Sequence, residues 1–311
     1  MHSLQTTKGT IKYPAFLPVT TFSDDFPLDP IVRPYLKRFA PAMMVSHYYA
    51  QKMISQTLPV FIDSGGFASF FKNSLTYQLK NGTYGILSHD GSQVNPEVVL
   101  ATQEKFADIG ATLDFIITED TPLQDAKEKQ DWIIHNAKWA LANKKNPALK
   151  LFASLQAWDR DSILRILEAL LPLPFDGFSL GGMVSRIQKP EKIFELVETF
   201  REEENDRPLH VFGIGAPPVV KNIFACGASS ADSSSYIRHA VSKRYLDPLT
   251  GKYIALNDIE NNLQDICKCT ICQQFSINYL SLEGELNTMA LAIHNLAATI
   301  DYLELGESHG L

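Results

Sequence analysis

Short apolar runs alternate with longer stretches of helical periodicity along most of the chain. Asp114–Thr118, Leu149–Leu155, Gly177–Leu180, Leu209–Phe212 and Ile223–Cys226 read as strands. Leu123–Asn143, Asp159–Leu171, Pro190–Glu204 and Pro217–Lys221 read as the helices between them. Upstream, Ala42–Val45 and Leu58–Ile62 read as buried strands, with helices over roughly Pro30–Phe39 and Pro96–Asp108, the second opened by a favourable proline. Thr10–Thr20, interrupted by two prolines, reads as an extended entry segment, and Lys72–Asn95 as a polar excursion. Strands joined through helices by short connections form a parallel sheet. So many repeats without a glycine-rich dinucleotide fingerprint predict an α/β fold closed into a (β/α)8 TIM-type barrel.

Polar or glycine-rich residues follow the apolar runs: Asp63-Ser-Gly-Gly66, Glu119-Asp120, Gln156, Gly181-Gly182, Gly213-Ile-Gly215 and Asp232. Any one of them is accounted for by a tight turn or a helix cap. In a β/α barrel, however, strand exits converge on the face where sites are built, so this many predict a pocket. Asp232 lies among small residues that leave room for a large substrate to approach.

Composition narrows the reading. The hydrophobic fraction of 45% supplies a full core for 311 residues, and the net charge of −7 means that any nucleic-acid contact needs a local patch. Arg238, Lys243 and Arg244 form such a patch. No apolar run reaches membrane-spanning length, and the N-terminus lacks the apolar core of a signal peptide, so a cytoplasmic protein with no membrane contact is expected.

Of four cysteines, Cys267, Cys269 and Cys272 crowd into six positions, a spacing that suits metal better than disulfides. His294 follows on a helical segment whose apolar stripe runs through Leu286, Met289, Ile293, Leu296, Ile300 and Leu303. Three thiolates and an imidazole make a closed set for one structural zinc, with no position left for a reacting water. Cys226, before Gly227, reads as a small core residue.

Over nearly its whole length the chain resembles the tRNA-guanine transglycosylase family. The resemblance rests on Asp63–Phe67, Ser88-His-Asp-Gly-Ser92 with Pro96-Glu97, Leu155-Gln156-Ala157, Leu180–Met183, Gly213-Ile-Gly215 and Asp232 five residues after Gly227. It continues through the Cys267, Cys269, Cys272 signature and His294-Asn295; the segment around Asp232 and Arg244-Tyr245 is similar to the archaeal branch.

The resemblance implies exchange of a guanine in a polynucleotide for a free 7-deazaguanine through a covalent glycosyl-aspartate. Asp232 would be the nucleophile and Asp63 the proton-handling acid. Phe67 and Phe212 would stack on the base, and Gln156 with the Gly181, Gly182 and Met183 backbone would read its edge. Where the family carries an Asp before a Thr-Pro pair, counting back from Thr121-Pro122 reaches Thr118; strand alternation then favours Asp120 over Glu119 as the replacement.

The resemblance leaves open tRNA or DNA as polynucleotide, guanine or a 7-deazaguanine as free base, and a homodimer as assembly. A non-catalytic partner subunit is the alternative from a different class, against which both acids speak. One barrel domain over 1–311, with a zinc subdomain at about 255–311, is expected, without the appended RNA-binding domain of archaeal members.

Overall fold

The computed structural model describes residues 3–258, 267, 272–273 and 284–304. Eight strands close into one parallel barrel: β1 Ala15–Thr20, β2 Met43–Val45, β3 Val60–Ile62, β4 Ile109–Ala111, β5 Lys150–Gln156, β6 Gly177–Gly181, β7 Leu209–Val211 and β8 Ser230–Ser233. They follow one another in chain order around the barrel, and β8 pairs with β1 in the register Asp232↔Leu17. Parallel neighbours need crossover connections. These are α1 Pro96–Phe106, α2 Leu123–Asn143, α3 Arg160–Leu170, α4 Pro190–Glu203 and α5 Pro217–Ala225. Shorter helical turns, Asp29–Val32 with Arg33–Arg38 and then His47–Ala50, serve the first two connections. After β8 come α6 Ser235–Val241 and, further on, α7 Gly284–Tyr302.

Local sequence explains where these helices begin. Asn95 caps α1 by accepting from the Val98 amide at 3.0 Å, with Pro96 at the first helical position where its missing N–H costs nothing. Asp159 and Ser162 form a reciprocal capping box on α3. The shell between sheet and helices is mainly apolar, with Phe115, Ile133, Leu151, Ile166, Phe178, Leu196 and Val211 all buried.

The lumen changes character along its axis. An N-terminal hairpin, Ser3–Thr6 with Gly9–Lys12, inserts Leu4 and Ile11 beside Ala15, Leu17, Phe61, Ile109 and Phe152. Asp108, just before β4, fastens this floor by accepting from Thr7 and Lys8 side chains at 2.7 Å each and from the Val60 amide at 3.0 Å. Toward the strand exits the buried residues turn polar: Ser154, Ser179, His210, Gln156, Asp114 and Asp232. Buried polar groups persist only where they find partners, so this gradient already marks one end of the barrel.

Three elements differ from the sequence expectation. Ile223–Cys226 is not a strand: α5 runs through it to Ala225, and the last strand lies further on, at Ser230–Ser233. The buried residues Pro217, Val220 and Ile223 recur at helical spacing, and a short apolar run does not by itself distinguish the two states. The fourth strand is Ile109–Ala111, whereas 114–118 is outside the barrel ladder because side chains take its amides. Ile116 N–H donates to Ser69 Oγ, Ile117 N–H to Gln156 Oε1 and Thr118 N–H to Thr121 Oγ1. Thr10–Thr20 is more than an entry segment, since it supplies part of the floor hairpin and the whole of β1. The excursion before α1 holds a three-stranded antiparallel sheet, Leu75–Gln78, Tyr84–Leu87 and Gln93–Val94. Among the described residues no helix is long and apolar enough to cross a membrane.

Candidate active site and metal centre

Asp232 sits inside the barrel near the end of β8, 6% exposed. Its Oδ1 accepts from the Gly213 amide and faces His210 Nε2, both at 3.0 Å. Asp63 leaves the end of β3, where its Oδ1 accepts from the amides of His47 at 2.7 Å and Gly65 at 3.1 Å. Burial raises the Asp63 carboxyl to about 6 against the pull of those amides, and the charge of Asp232 adds to the rise. The two acids therefore share one end of the barrel, and the charge of Asp232 is felt at Asp63.

A third acid, Asp114, lies just past the end of β4 and is buried. Its Oδ1 accepts from Ser64 Oγ at 2.5 Å and its Oδ2 from Gln156 Nε2 at 2.6 Å. Burial raises its pKa, with Ser64 and Gln156 opposing the shift. The backbone had to be bare here: a Cβ on Gly66 would lie 1.9 Å from Asp114 Oδ1, and one on Gly181 would lie 2.3 Å from the Gln156 amide nitrogen. Gln156 points into the same place and also accepts from the Ile117 amide.

The structure brings only some of the sequence candidates together. Asp63, Asp232, Gln156 and Gly181 line the polar end of the barrel, with Gly182 and the buried Met183 immediately after β6. Phe212, partly buried after β7, packs with its centroid 4.8 Å from His210 and 6.0 Å from Phe61. Phe67 is 55% exposed on the turn after Asp63 and stacks on Phe70.

Glu119 and Asp120 lie apart from this cluster. Both are exposed on the loop beyond 114–118, and Glu119 pairs with Lys192 at 2.8 Å and Lys189 at 3.1 Å, which pull it down to about 2. The acid that the fold places beside Gln156 is Asp114. Counting back from Thr121-Pro122 missed it because this loop has its own length. The available signal was position, since Asp114 follows an apolar strand exit as Asp63 does.

Lys243 is exposed, and its ammonium donates to Asn287 Oδ1 at 2.7 Å and Thr288 Oγ1 at 2.9 Å, tying β8's downstream segment to α7. Arg244 is exposed and donates to the Tyr253 carbonyl, and Arg238 is exposed on α6. His210, with no place in the sequence reading, is fully buried against Asp232. Cys226 ends α5 rather than a strand, partly buried, its thiol donating to Glu198 at 3.4 Å.

Cys267, Cys272 and His294 are buried, with ligand atoms all within 4.8 Å of one another, and form a group that could hold a metal ion. Cys269 lies outside the described residues. His294 Nδ1 stands 3.3 Å from Cys272 Sγ and 3.6 Å from Cys267 Sγ. Tetrahedral zinc with sulfur at about 2.3 Å and nitrogen at about 2.0 Å spaces such atoms at roughly 3.5 Å, so the residues fit the metal. The opposite ring nitrogen, Nε2, donates to the Leu246 carbonyl at 2.9 Å, which leaves Nδ1 as the lone-pair side facing the thiols. Tyr245 stacks on the ring with centroids 3.9 Å apart and holds its plane.

The comparisons with known proteins converge on this architecture. The profile of the queuine tRNA-ribosyltransferase family matches residues 35–305. The chain belongs to this family. A tRNA-guanine(15) transglycosylase of Pyrobaculum aerophilum is 26% identical over 304 residues, 94% of this chain and 58% of that protein. A queuine tRNA-ribosyltransferase of Protochlamydia amoebophila is 30% identical over 290 residues, 81% of this chain and 73% of that protein. One from Marinobacter nauticus is 28% identical over 262 residues, 76% and 67% respectively. The chain spans about half the length of the archaeal relatives, 51% in Korarchaeum cryptofilum. Within a tRNA-ribosyltransferase family fold, the acids at the strand exits lie on the face where barrels carry their chemistry.

Proposed function

We propose that this chain is a base-exchange transglycosylase that removes a guanine from tRNA and inserts a 7-deazaguanine through a covalent glycosyl-aspartate. The observation that carries the reading is the pair Asp63 and Asp232: two recessed carboxyl groups at the strand exits of a family barrel, one of them raised to about 6.

The roles follow from placement. The Asp232 carboxylate attacks the anomeric carbon from the face opposite the leaving guanine; the electron pair of the breaking glycosidic bond departs with the base, and an ester to the ribose remains. Asp63, protonated, supplies a proton to the leaving base. Its carboxylate then takes one from the incoming base, whose nitrogen displaces Asp232 and restores the original configuration. A carboxyl with a pKa of about 6 is suited to both directions near neutrality. Asp114 and Gln156 offer adjoining acceptor and amide groups to the polar edge of the base, and the Gly181 to Met183 backbone borders them. Phe212 and Phe67 supply ring faces for stacking.

We infer further that one zinc is held by Cys267, Cys272, His294 and Cys269. The metal would supply structural cross-linking of the C-terminal segment, about 255–311, to the barrel; the base exchange is carried by the carboxyl groups.

The test is to incubate the protein with labelled guanine and either bulk tRNA or duplex DNA, quench in denaturant and map adducts by peptide mass. Label entering tRNA with an adduct on Asp232, and loss of both in Asp232→Ala, is the expected result. Label entering only DNA would transfer the same chemistry to DNA. An adduct on another residue would overturn the assignment, and neither adduct nor exchange on either substrate would leave the partner-subunit reading standing.

A further inference from the structure

We infer that His210 is a positioning residue that, together with the Gly213 amide, holds Oδ1 of Asp232 and thereby assigns Oδ2 as the attacking oxygen. The inference rests on the transglycosylase reading above.

The geometry carries it. His210 lies on β7, fully buried, its ring packed against both Phe61 and Phe212 with centroids 4.8 Å from each. Nε2 is 3.0 Å from Asp232 Oδ1, and Nδ1 is 2.8 Å from the hydroxyl of the buried Ser230. An ionised carboxylate only accepts, so Nε2 carries the proton and donates, leaving Nδ1 to accept from Ser230 Oγ–H. Asp232 thus sets the tautomer, and the Ser230 hydroxyl, able to donate or accept, satisfies the remaining ring nitrogen and helps hold the ring in place. The Gly213 N–H donates to the same Oδ1 at 3.0 Å, and among the described residues Oδ2 takes no donor.

Two donors on one oxygen divide the labour of the carboxylate. Oδ2 forms the bond to the anomeric carbon as the glycosidic pair leaves with the guanine. Oδ1 becomes the ester carbonyl and keeps both donors. When the incoming base breaks the ester, the bonding pair returns to the carboxylate, and its charge is received by His210 Nε2–H and Gly213 N–H. Hydrogen bonds to a charged carboxylate are stronger than those to a neutral ester carbonyl. Losing the His210 donor therefore disfavours the free carboxylate more than the adduct.

The experiment compares wild type with His210→Leu, His210→Gln and Ser230→Ala, using bulk tRNA and free guanine. In His210→Leu, turnover falls by about tenfold or more while KM for guanine stays within about twofold, and the equilibrium ratio of adduct to free enzyme rises about tenfold. His210→Gln, whose amide nitrogen reaches the place of Nε2, returns both readings toward wild type. Ser230→Ala shifts them in the direction of His210→Leu by less, and serves as the probe should the leucine variant fail to fold. A merely structural histidine would lower melting temperature without moving the adduct ratio. An adduct ratio unchanged in Ser230→Ala and in a folded His210→Leu, or a folded glutamine variant no better than leucine, overturns the inference while wild-type adduct on Asp232 keeps the transglycosylase reading intact. Absence of any wild-type adduct defeats that reading and this inference with it.

Discussion

Asp63 shows how a single side chain is tuned by its surroundings. Two amides and Ser46 stabilise its charge, yet burial outweighs them and lifts the carboxyl to about 6. Because the folded pKa lies above the unfolded one, ionisation is penalised in the native state, and stability is lost as pH rises from about 4 through about 6. Asp63→Asn, which keeps an acceptor for the His47 and Gly65 amides, escapes that penalty. Relative to wild type it should be near neutral at about pH 4 and more stable by about 3 kcal/mol at about pH 8. His47, pushed down to about 4 by burial, acts in the opposite sense, losing stability as pH falls below its ordinary range. It is present in both proteins and cancels from the comparison. Denaturant unfolding at the two pH values checks the prediction, and a stability difference independent of pH would refute it. The neighbouring residue Gly66 marks how closely the site is built, since the space of a side chain there already belongs to Asp114.

At the scale of elements, α7 is the one whose sequence carries two functions at once. Its buried face includes Leu291, Leu296 and Ile300, which pack into the core, and on the same helix His294 faces the cysteines while Asn295 bonds the Leu246 amide and the Tyr236 and Arg244 carbonyls. A metal at Cys267, Cys272 and His294 therefore connects the segment after β8 to the helix that closes over it. Cys272→Ala should abolish most metal retention in protein purified without chelator and lower the melting temperature, with chelation of wild type reproducing the loss. Metal analysis beside thermal unfolding measures both, and an unchanged melting temperature in a metal-free variant would refute the cross-linking role. The same scale explains the misplaced last strand. Pro217-Pro218 at the first helical positions and a stripe through Val220 and Ile223 commit the apolar run to α5, so the strand falls to the small residues Ser230–Ser233.

Across the whole molecule, the barrel separates stability from chemistry by distance along its axis. The floor hairpin and Asp108 seal one end, and the polar lumen faces the other. With a net charge of −7, docking of a polynucleotide needs a local attraction. Arg238 is exposed on α6, the helix directly after β8, and is the candidate cation, whereas Lys243 donates to Asn287 and Thr288. Arg238→Ala should weaken tRNA binding at low salt and flatten the plot of log affinity against log salt by about one unit, leaving guanine binding unchanged. Titrations between about 50 and 200 mM salt read this directly, and an unaltered slope would remove Arg238 from the interface.

By itself the sequence determined the barrel, because alternating strand and helix periods with short connections admit few closed packings, and strand exits are recognisable as polar residues after apolar runs. Asp63 and Gln156 were legible as candidates for that reason and the cysteines by their spacing, whereas Asp232 was singled out by the small residues around it, the apolar run before it being helix. Tertiary structure alone decided which acids meet. Asp114 enters the site because side chains of Ser69, Gln156 and Thr121 take the amides of 116–118, while the longer reach of the loop sends Glu119 to Lys192 and Lys189. His210 reads in sequence as an ordinary strand residue. Its meeting with Asp232 arises only when β7 and β8 pair in the register His210↔Ser230, which turns both side chains into the lumen and leaves the imidazole no partner but its neighbours across the strand. Such partnerships depend on register between segments far apart in the chain, and no local pattern encodes it.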